Sequence, residues 1–198
     1  MYVVGFNGPP ECGKDTAAEL LRAEITRAGV PHALVHLESL SYPLRSIAYA
    51  ITGWTGPLDG ENYEKFKRTR FQIGQGDDGE TGRQIMIDSS ERFLKPVYGE
   101  EVMADMLLSR ISLKPACVIL VRDCGFQSEV NPIINAVGSK NFYLVNVWRD
   151  GKTFEGDSRE WVTHAHSMQL DNNGTLPELA TECQRIYGRL VNQMGWVL

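Results

Sequence analysis

Apolar positions in this chain recur at two spacings, and the alternation between them sketches the fold. Residues 2–6, Tyr2-Val3-Val4-Gly5-Phe6, form a short apolar run halted by Asn7-Gly8-Pro9-Pro10, the pattern of a buried strand entering a turn. From Lys14 to about Ala28, Ala17, Leu20, Leu21 and Ile25 recur at three- and four-residue spacing with Gly29 as a stop, which predicts a helix. A second strand is predicted over 33–37 and a helix over 42–51, with Pro43 in its first turn and Gly53 at its end. Residues 54–82 are the least regular part of the chain; Gly56, Pro57, Gly60, Gly74, Gly76 and Gly79 punctuate them around the basic stretch Lys65-Phe66-Lys67-Arg68-Thr69-Arg70. A loop of that length in a compact domain is either functional or mobile. Helical spacing returns at 83–94 and, after Pro96, at 99–112.

The run 116–121 is continuously apolar and ends in Arg122-Asp123, as a central parallel strand does. A helix over 129–137 leads to a strand over 142–147, a polar insert over 149–162 and a short strand over 168–170. The turn Asp171-Asn172-Asn173-Gly174 opens a last helix over 176–193. Strands alternating with helices predict an α/β fold, a doubly wound parallel sheet of about five strands flanked by helices. No repeat, low-complexity stretch or second domain is evident.

Composition narrows the class. With 198 residues, 42% hydrophobic and 23% charged, the chain reads as one globular domain with an ordinary core. No apolar run approaches the roughly 18 residues of a membrane span. The first apolar run is needed as a core strand, so no secretory leader is expected. Cys12, Cys117, Cys124 and Cys183 are scattered without a CxxC pair, as reduced thiols in a cytoplasmic protein would be. The net charge of −5 disfavours a general nucleic-acid binder.

The strongest chemical signal is Gly8-Pro9-Pro10-Glu11-Cys12-Gly13-Lys14, which matches G-x-x-x-x-G-K between a predicted strand and a predicted helix. Glycines there let successive N–H groups turn inward around a phosphate, the helix dipole adds positive potential, and Lys14 supplies a mobile cation. The residue after the lysine, ordinarily Ser or Thr, is Asp15, and a hydroxyl follows at Thr16. Either side chain suits magnesium: the carboxylate directly or through water, the hydroxyl by a one-residue shift. Asp123, an acid at the end of a hydrophobic strand, has the position of a second metal carboxylate.

The Gly-Lys-Asp-Thr ending of this loop resembles that of the bacteriophage-type deoxynucleoside monophosphate kinases. Further segments follow in the same order: Ser41-Tyr42-Pro43-Leu44-Arg45-Ser46-Ile47-Ala48, Thr81-Gly82-Arg83-Gln84-Ile85-Met86, Asp123 with Glu129, Val147-Trp148-Arg149, and Leu170-Asp171-Asn172-Asn173-Gly174. The resemblance implies a P-loop kinase fold in a single domain over 1–198. Its core would be 1–40, 114–148 and 163–198, with a nucleoside monophosphate-binding region at about 41–113 and a short lid at about 149–162. It implies ATP and magnesium as cofactors, a nucleoside monophosphate as acceptor, and a cytoplasmic location, the host's for a phage protein. Gly8, Pro9, Glu11, Cys12, Gly13, Lys14, Asp15, Thr16, Asn173 and Gly174 would bind ATP. Arg45, Arg83, Gln84 and Arg122 would bind the acceptor. Lys14, Arg83, Asp123 and Arg149 would act in transfer, with Lys152 or Arg159 assisting. Asp15, Thr16 and Asp123 would hold the metal. The family pattern is broken at Gly125, where an arginine is expected.

Other readings stay open. Lys65 to Arg70 offers a lining for the acceptor cleft, a contact with a polymer, or a plain solvated face. It keeps in view a kinase acting on a hydroxymethylated base in DNA, against the acidic balance. A nucleotide-binding module without catalysis is a third reading, and a homodimer is allowed. His164-Ala165-His166 lacks the further ligands a metal needs, and Trp148 and Trp161 either flank a base or pack.

Overall fold

The computed structural model describes residues 1–73, 78–114 and 118–192. It begins with strand β1 (Tyr2–Asn7) and helix α1 (Lys14–Arg27), then a 3-10 turn at 32–34 and strand β2 (Val35–Glu38). Helices α2 (Tyr42–Thr52) and α3 (Gly60–Arg68) precede a two-residue hairpin, β3 (Arg70–Phe71) with β4 (Glu80–Thr81). Then come α4 (Gly82–Asp88), a π-helical turn over Ser89–Leu94, α5 (Lys95–Tyr98) and α6 (Val102–Ser112). Strand β5 (Val118–Val121), helix α7 (Gln127–Val137), strands β6 (Phe142–Trp148) and β7 (Ser167–Asp171), and helix α8 (Leu176–Asn192) complete it. Among the described residues no helix is long and apolar enough to cross a membrane.

The five long strands form one parallel sheet in the order β2-β5-β1-β6-β7. The α/β, doubly wound expectation holds. Strand β1 is central: Gly5 pairs with Val121 of β5 on one side and with Leu144 of β6 on the other. The chain runs outward to β2, returns through β5, and crosses β1 to reach β6. The point of reversal therefore falls at β1, where open α/β sheets gather their ligands beyond the strands' carboxyl ends. All four side chains of β5 are fully buried, as covering both faces requires, and each contributes roughly 1.5–3 kcal/mol. On one face Val4, Phe6, Val118, Leu120, Tyr143 and Val145 pack under α1 and α8, including Ala17, Leu21, Cys183 and Ile186. Helix α7 lies against β1 and β6.

The chain forms two compact units: Met1–Leu40 with Leu107–Leu198, and Ser41–Met106. The second has a core of its own. Ala48, Tyr49, Phe66, Ile85 and Met86 are buried there, with Leu44, Trp54, Leu58, Tyr63 and Phe71 packed against them.

Three expectations shift. The stretch expected to be irregular over 54–82 contains α3 and the β3–β4 hairpin, because Tyr63, Phe66 and Phe71 each send an aromatic ring into that small core. The strand expected over 33–37 starts at Val35, since Leu34 N–H bonds back to Pro31 O in the 3-10 turn. Pro96 does not end the helical run: it falls in the first turn of α5, where its missing N–H costs nothing, and the break comes at Gly99. Residues 116–117 of the expected third strand and residue 193 of the last helix lie outside the described residues.

Candidate active site

The loop 8–13 leaves the central strand and delivers its last residue as the N-cap of α1. Gly8 and Gly13 have φ of 153° and 96°, and Glu11 has φ of 60°, a left-handed conformation that a side-chain-bearing residue rarely adopts. Space enforces the glycines as well. A Cβ on Gly8 would stand 2.4 Å from Val147 O, and one on Gly13 would stand 2.2 Å from the Asn172 amide nitrogen. The neighbouring strand end and turn thus press on the loop from outside, and α1 presents its unsatisfied N–H groups at its start.

Lys14 is the first residue of α1 and is 8% exposed. Its ammonium donates to Gly8 O at 2.6 Å and Pro9 O at 2.7 Å, and approaches Cys12 Sγ at 3.7 Å. Burial holds the Lys14 pKa below the ordinary lysine value; the nearby Cys12 and Asp15 oppose that shift and Arg159 adds to it. The Cys12 thiol is pushed up, by burial first, with Lys14 pulling the other way.

At the end of β5 the two charged residues face different elements, as strand alternation dictates. Arg122 lies nearly buried, with Nη1 3.7 Å from Asp15 Oδ1 in the first turn of α1, and its Nε has no hydrogen-bond partner. Asp123 accepts from the Ser39 hydroxyl at 2.5 Å and from Leu40 N–H at 2.7 Å, which ties it to the end of β2. Asp15 and Thr16 are exposed. Among the described residues no cluster of three or more His, Cys, Asp or Glu side chains is grouped to hold a metal. The hard oxygens of Asp15 and Thr16, beside the phosphate loop, nevertheless fit magnesium, which is commonly held by one or two carboxylates together with substrate phosphates.

These features make a glycine-bracketed loop at the switch point of a parallel sheet, with the geometry of an anion nest. No protein-family model matches the sequence, and no curated protein sequence does either. Among solved structures the chain is similar to a gluconokinase from Sinorhizobium meliloti 1021, at 12% identity and a TM-score of 0.47 over 98% of this chain and 95% of that one. It is similar to APE1195 at 13% identity and 0.46 over 96% of each chain. It is also similar to the tunicamycin resistance protein of Deinococcus radiodurans, at 12% identity and 0.39 over 100% of this chain and 97% of that one. At such scores these likenesses carry no weight for fold or function, which rest here on the sheet and the loop themselves.

The turn after β7 meets the loop through a residue that sequence reading passed over. Asn172, 8% exposed, donates to Cys12 O at 2.7 Å, whereas Asn173 accepts from Asp150 N–H and donates to Asp171. Gly174 is exposed and precedes the Thr175–Glu178 cap of α8, whose hydrogen bonds draw the Glu178 pKa down. In the insert, Arg149 is exposed and Lys152 bonds Glu11 of the loop at 2.7 Å. Asn7, fully buried, was missed too: its amide reaches Cys124 O, Glu160 O and Val162 N–H. An asparagine flanking a glycine turn was the available signal in both cases, though sequence does not tell which of two adjacent asparagines points inward.

Of the acceptor candidates, Arg45, Arg83 and Gln84 belong to the second unit and Arg122 to the first. Arg83 and Gln84 are exposed in the first turn of α4, where Thr81 Oγ1 caps the Gln84 N–H and Gln84 Nε2 donates to Asp88. Arg45 is buried: it bonds Ser41 Oγ and Leu58 O and lies 4.1 Å from the Tyr63 ring centre. Within Lys65 to Arg70, Lys67 pairs with Glu64 and Arg70 donates to Gly79 O, so part of the basic stretch is spent locally. His164 and His166 pack on each other and on Phe142 and Tyr143, and Trp161 packs edge-on to Phe154.

Proposed function

We propose that this chain is an ATP- and magnesium-dependent kinase that phosphorylates a nucleoside monophosphate, a deoxynucleotide in the first instance, to the diphosphate. The observation that carries this reading is the loop 8–13: two glycines and Glu11 at positive φ, leading from the central strand into α1 with the Lys14 ammonium folded over the loop. Such a loop is a device for polyphosphate, and phosphoryl transfer needs held phosphates, excluded water and neutralised charge more than covalent chemistry.

In this reading Gly8 to Thr16 cradle the donor, and Lys14 exchanges its two carbonyl partners for the donor's terminal phosphate oxygens. Asn173 and Gly174 lie at the donor's base. Arg83 and Gln84 take the acceptor's phosphate, Arg45 braces their region, and Arg122 and Arg149 add positive charge. Magnesium would be held by Asp15 or Thr16 with Asp123, and when bound it neutralises charge on the donor phosphates. The acceptor oxygen attacks the γ-phosphorus as its bond to the bridging oxygen breaks and ADP leaves.

The test is ADP release from ATP and magnesium across ribo- and deoxynucleoside monophosphates, 5-hydroxymethylated ones and DNA. Turnover dependent on one or a few monophosphates is the expected outcome. Turnover only with DNA would replace this reading with the modified-base kinase, and ATP binding without any acceptor-dependent turnover would leave a binding module. Lys14→Ala is expected to lower kcat by about a hundredfold or more with the fold retained; wild-type turnover in that variant would sink the assignment of the loop.

A further inference from the structure

The helical run from α4 through α5 does not keep its register. Met86, Ser90, Phe93 and Val97 recur at intervals of four, three and four residues, a spacing that sets them on one face of an unbroken α-helix. Met86 and Ser90 are buried, as that face requires. Past the π-helical turn over Ser89–Leu94 the face changes: Leu94 is buried, while Phe93, Val97 and Tyr98 stand 53%, 59% and 62% exposed. A π-helical turn takes more residues per turn than an α-helix, so it rotates whatever follows it. Such turns are rare and recur at functional positions. Here the rotation turns the apolar side chains of Phe93 and Val97 out to solvent.

Phe93 and Tyr98 meet edge to face, with ring centres 6.4 Å apart, and Val97 lies one turn beyond Phe93 on the same side. Together they make an apolar patch of roughly 300 Å², the size of the larger patches on soluble proteins, which are often functional. The charges at its two ends are opposite. Arg92, which precedes Phe93, has a side chain 77% exposed and only loosely paired, 3.5 Å from Asp88. Glu100, which follows Tyr98, is 71% exposed; Lys95 lies 3.7 Å from it but is committed to Glu91 at 2.6 Å. Glu101 beside it is exposed too. A cation at one end and carboxylates at the other make this surface complementary to itself when two copies meet antiparallel, the arrangement of a closed two-fold dimer.

We propose that two copies of this chain pair through this patch about a two-fold axis. An axis near Val97 lays Phe93 of each copy on Tyr98 of the other, sets the two Val97 side chains together and brings each Arg92 to the other copy's Glu100. The π-helical turn is what presents the patch. Its apolar centre is smaller than the roughly 800 Å² per partner of a standard stable interface, so the pairing is reversible and fills at micromolar concentrations. This inference stands apart from the kinase reading.

Sedimentation velocity of the full chain, from about 1 µM to about 200 µM, reads the association directly. The wild type is expected to pass from monomer to dimer across that range, and Val97→Glu to stay monomeric with an unchanged melting curve. Arg92→Glu and Glu100→Arg are each expected to weaken pairing about tenfold or more, because like charges then face each other. Arg92→Glu/Glu100→Arg in one chain is expected to restore pairing. A mixture of the two single variants is expected to form the mixed dimer, since each chain then meets opposite charges on the other. A wild type that stays monomeric throughout, or a dimer that Val97→Glu leaves intact, overturns the inference. So does failure of both charge-restoring combinations, which would mean that Arg92 and Glu100 do not meet across a two-fold axis.

Discussion

At the scale of single residues, the candidate site is held by asparagines whose neighbours attract attention first. Asn172 is nearly buried and spends its amide on Cys12 O, while a Cβ on Gly13 would collide with that same amide. Asn172→Ala leaves a buried carbonyl unpaired and is expected to cost about 1–3 kcal/mol of unfolding free energy, read by denaturant titration, with weaker MgATP binding. Asn173→Ala, at an exposed position, is expected to cost less than half as much; equal losses would mean that the Cys12 contact is not what secures the loop. The glycine loop between β1 and α1 was legible because its signature is local, a spacing of glycines and lysine between two periodic runs. Asn172, Asn7, Ser39 and Asp157 were not, because each acts on a residue at least two positions and often more than a hundred positions away. Gly125 looked like a missing arginine and proves to be the floor under Arg159.

At the scale of elements, strands buried on both faces and helices with one apolar stripe were legible, since each carries its period in the sequence. The small helices α3, α4 and α5 were less so, because aromatic packing and the π-helical turn decide their ends. The junction of β6 and β7 carries a titratable device. His164 packs edge-on to Phe142, lies against His166, and donates its backbone N–H to Ser167 Oγ. Burial, then the charge of His166, lowers the His164 pKa below the ordinary 6.5. Between the folded value and about 6.5 the unfolded chain binds more protons, so stability rises with pH through that window and is lost as pH falls through it. The melting temperature of the wild type is therefore expected to fall more steeply below about pH 6.5 than that of His164→Gln. Parallel curves would remove His164 from the account.

At the scale of the whole molecule, the two compact units differ in how their stability is built. Met1–Leu40 with Leu107–Leu198 rests on a five-stranded sheet covered by long helices, whereas the described residues of Ser41–Met106 form short helices, a two-residue hairpin and an aromatic cluster. Phe66 is the centre of that cluster: fully buried, it meets Tyr49 at 4.6 Å, Phe71 at 5.4 Å and Trp54 at 5.8 Å between ring centres. A Cβ on Gly82 would stand 2.6 Å from its ring, so α4 is laid directly on it. Phe66→Ala is expected to cost about 3–5 kcal/mol, a large share of the roughly 5–15 kcal/mol that holds a domain. If the small core is a cooperative unit of its own, hydrogen exchange of the Phe66→Ala variant will show amides of α2, α3 and α4 losing protection while those of β1, β5 and β6 keep theirs. On the proposed function, donor binding at the loop 8–13 would then persist while acceptor-dependent turnover is lost, because the residues proposed for the acceptor, Arg83 and Gln84, ride on α4. Uniform loss of protection across both units would instead mean that the sheet and the small core unfold together, and that the second unit does not have a stability of its own.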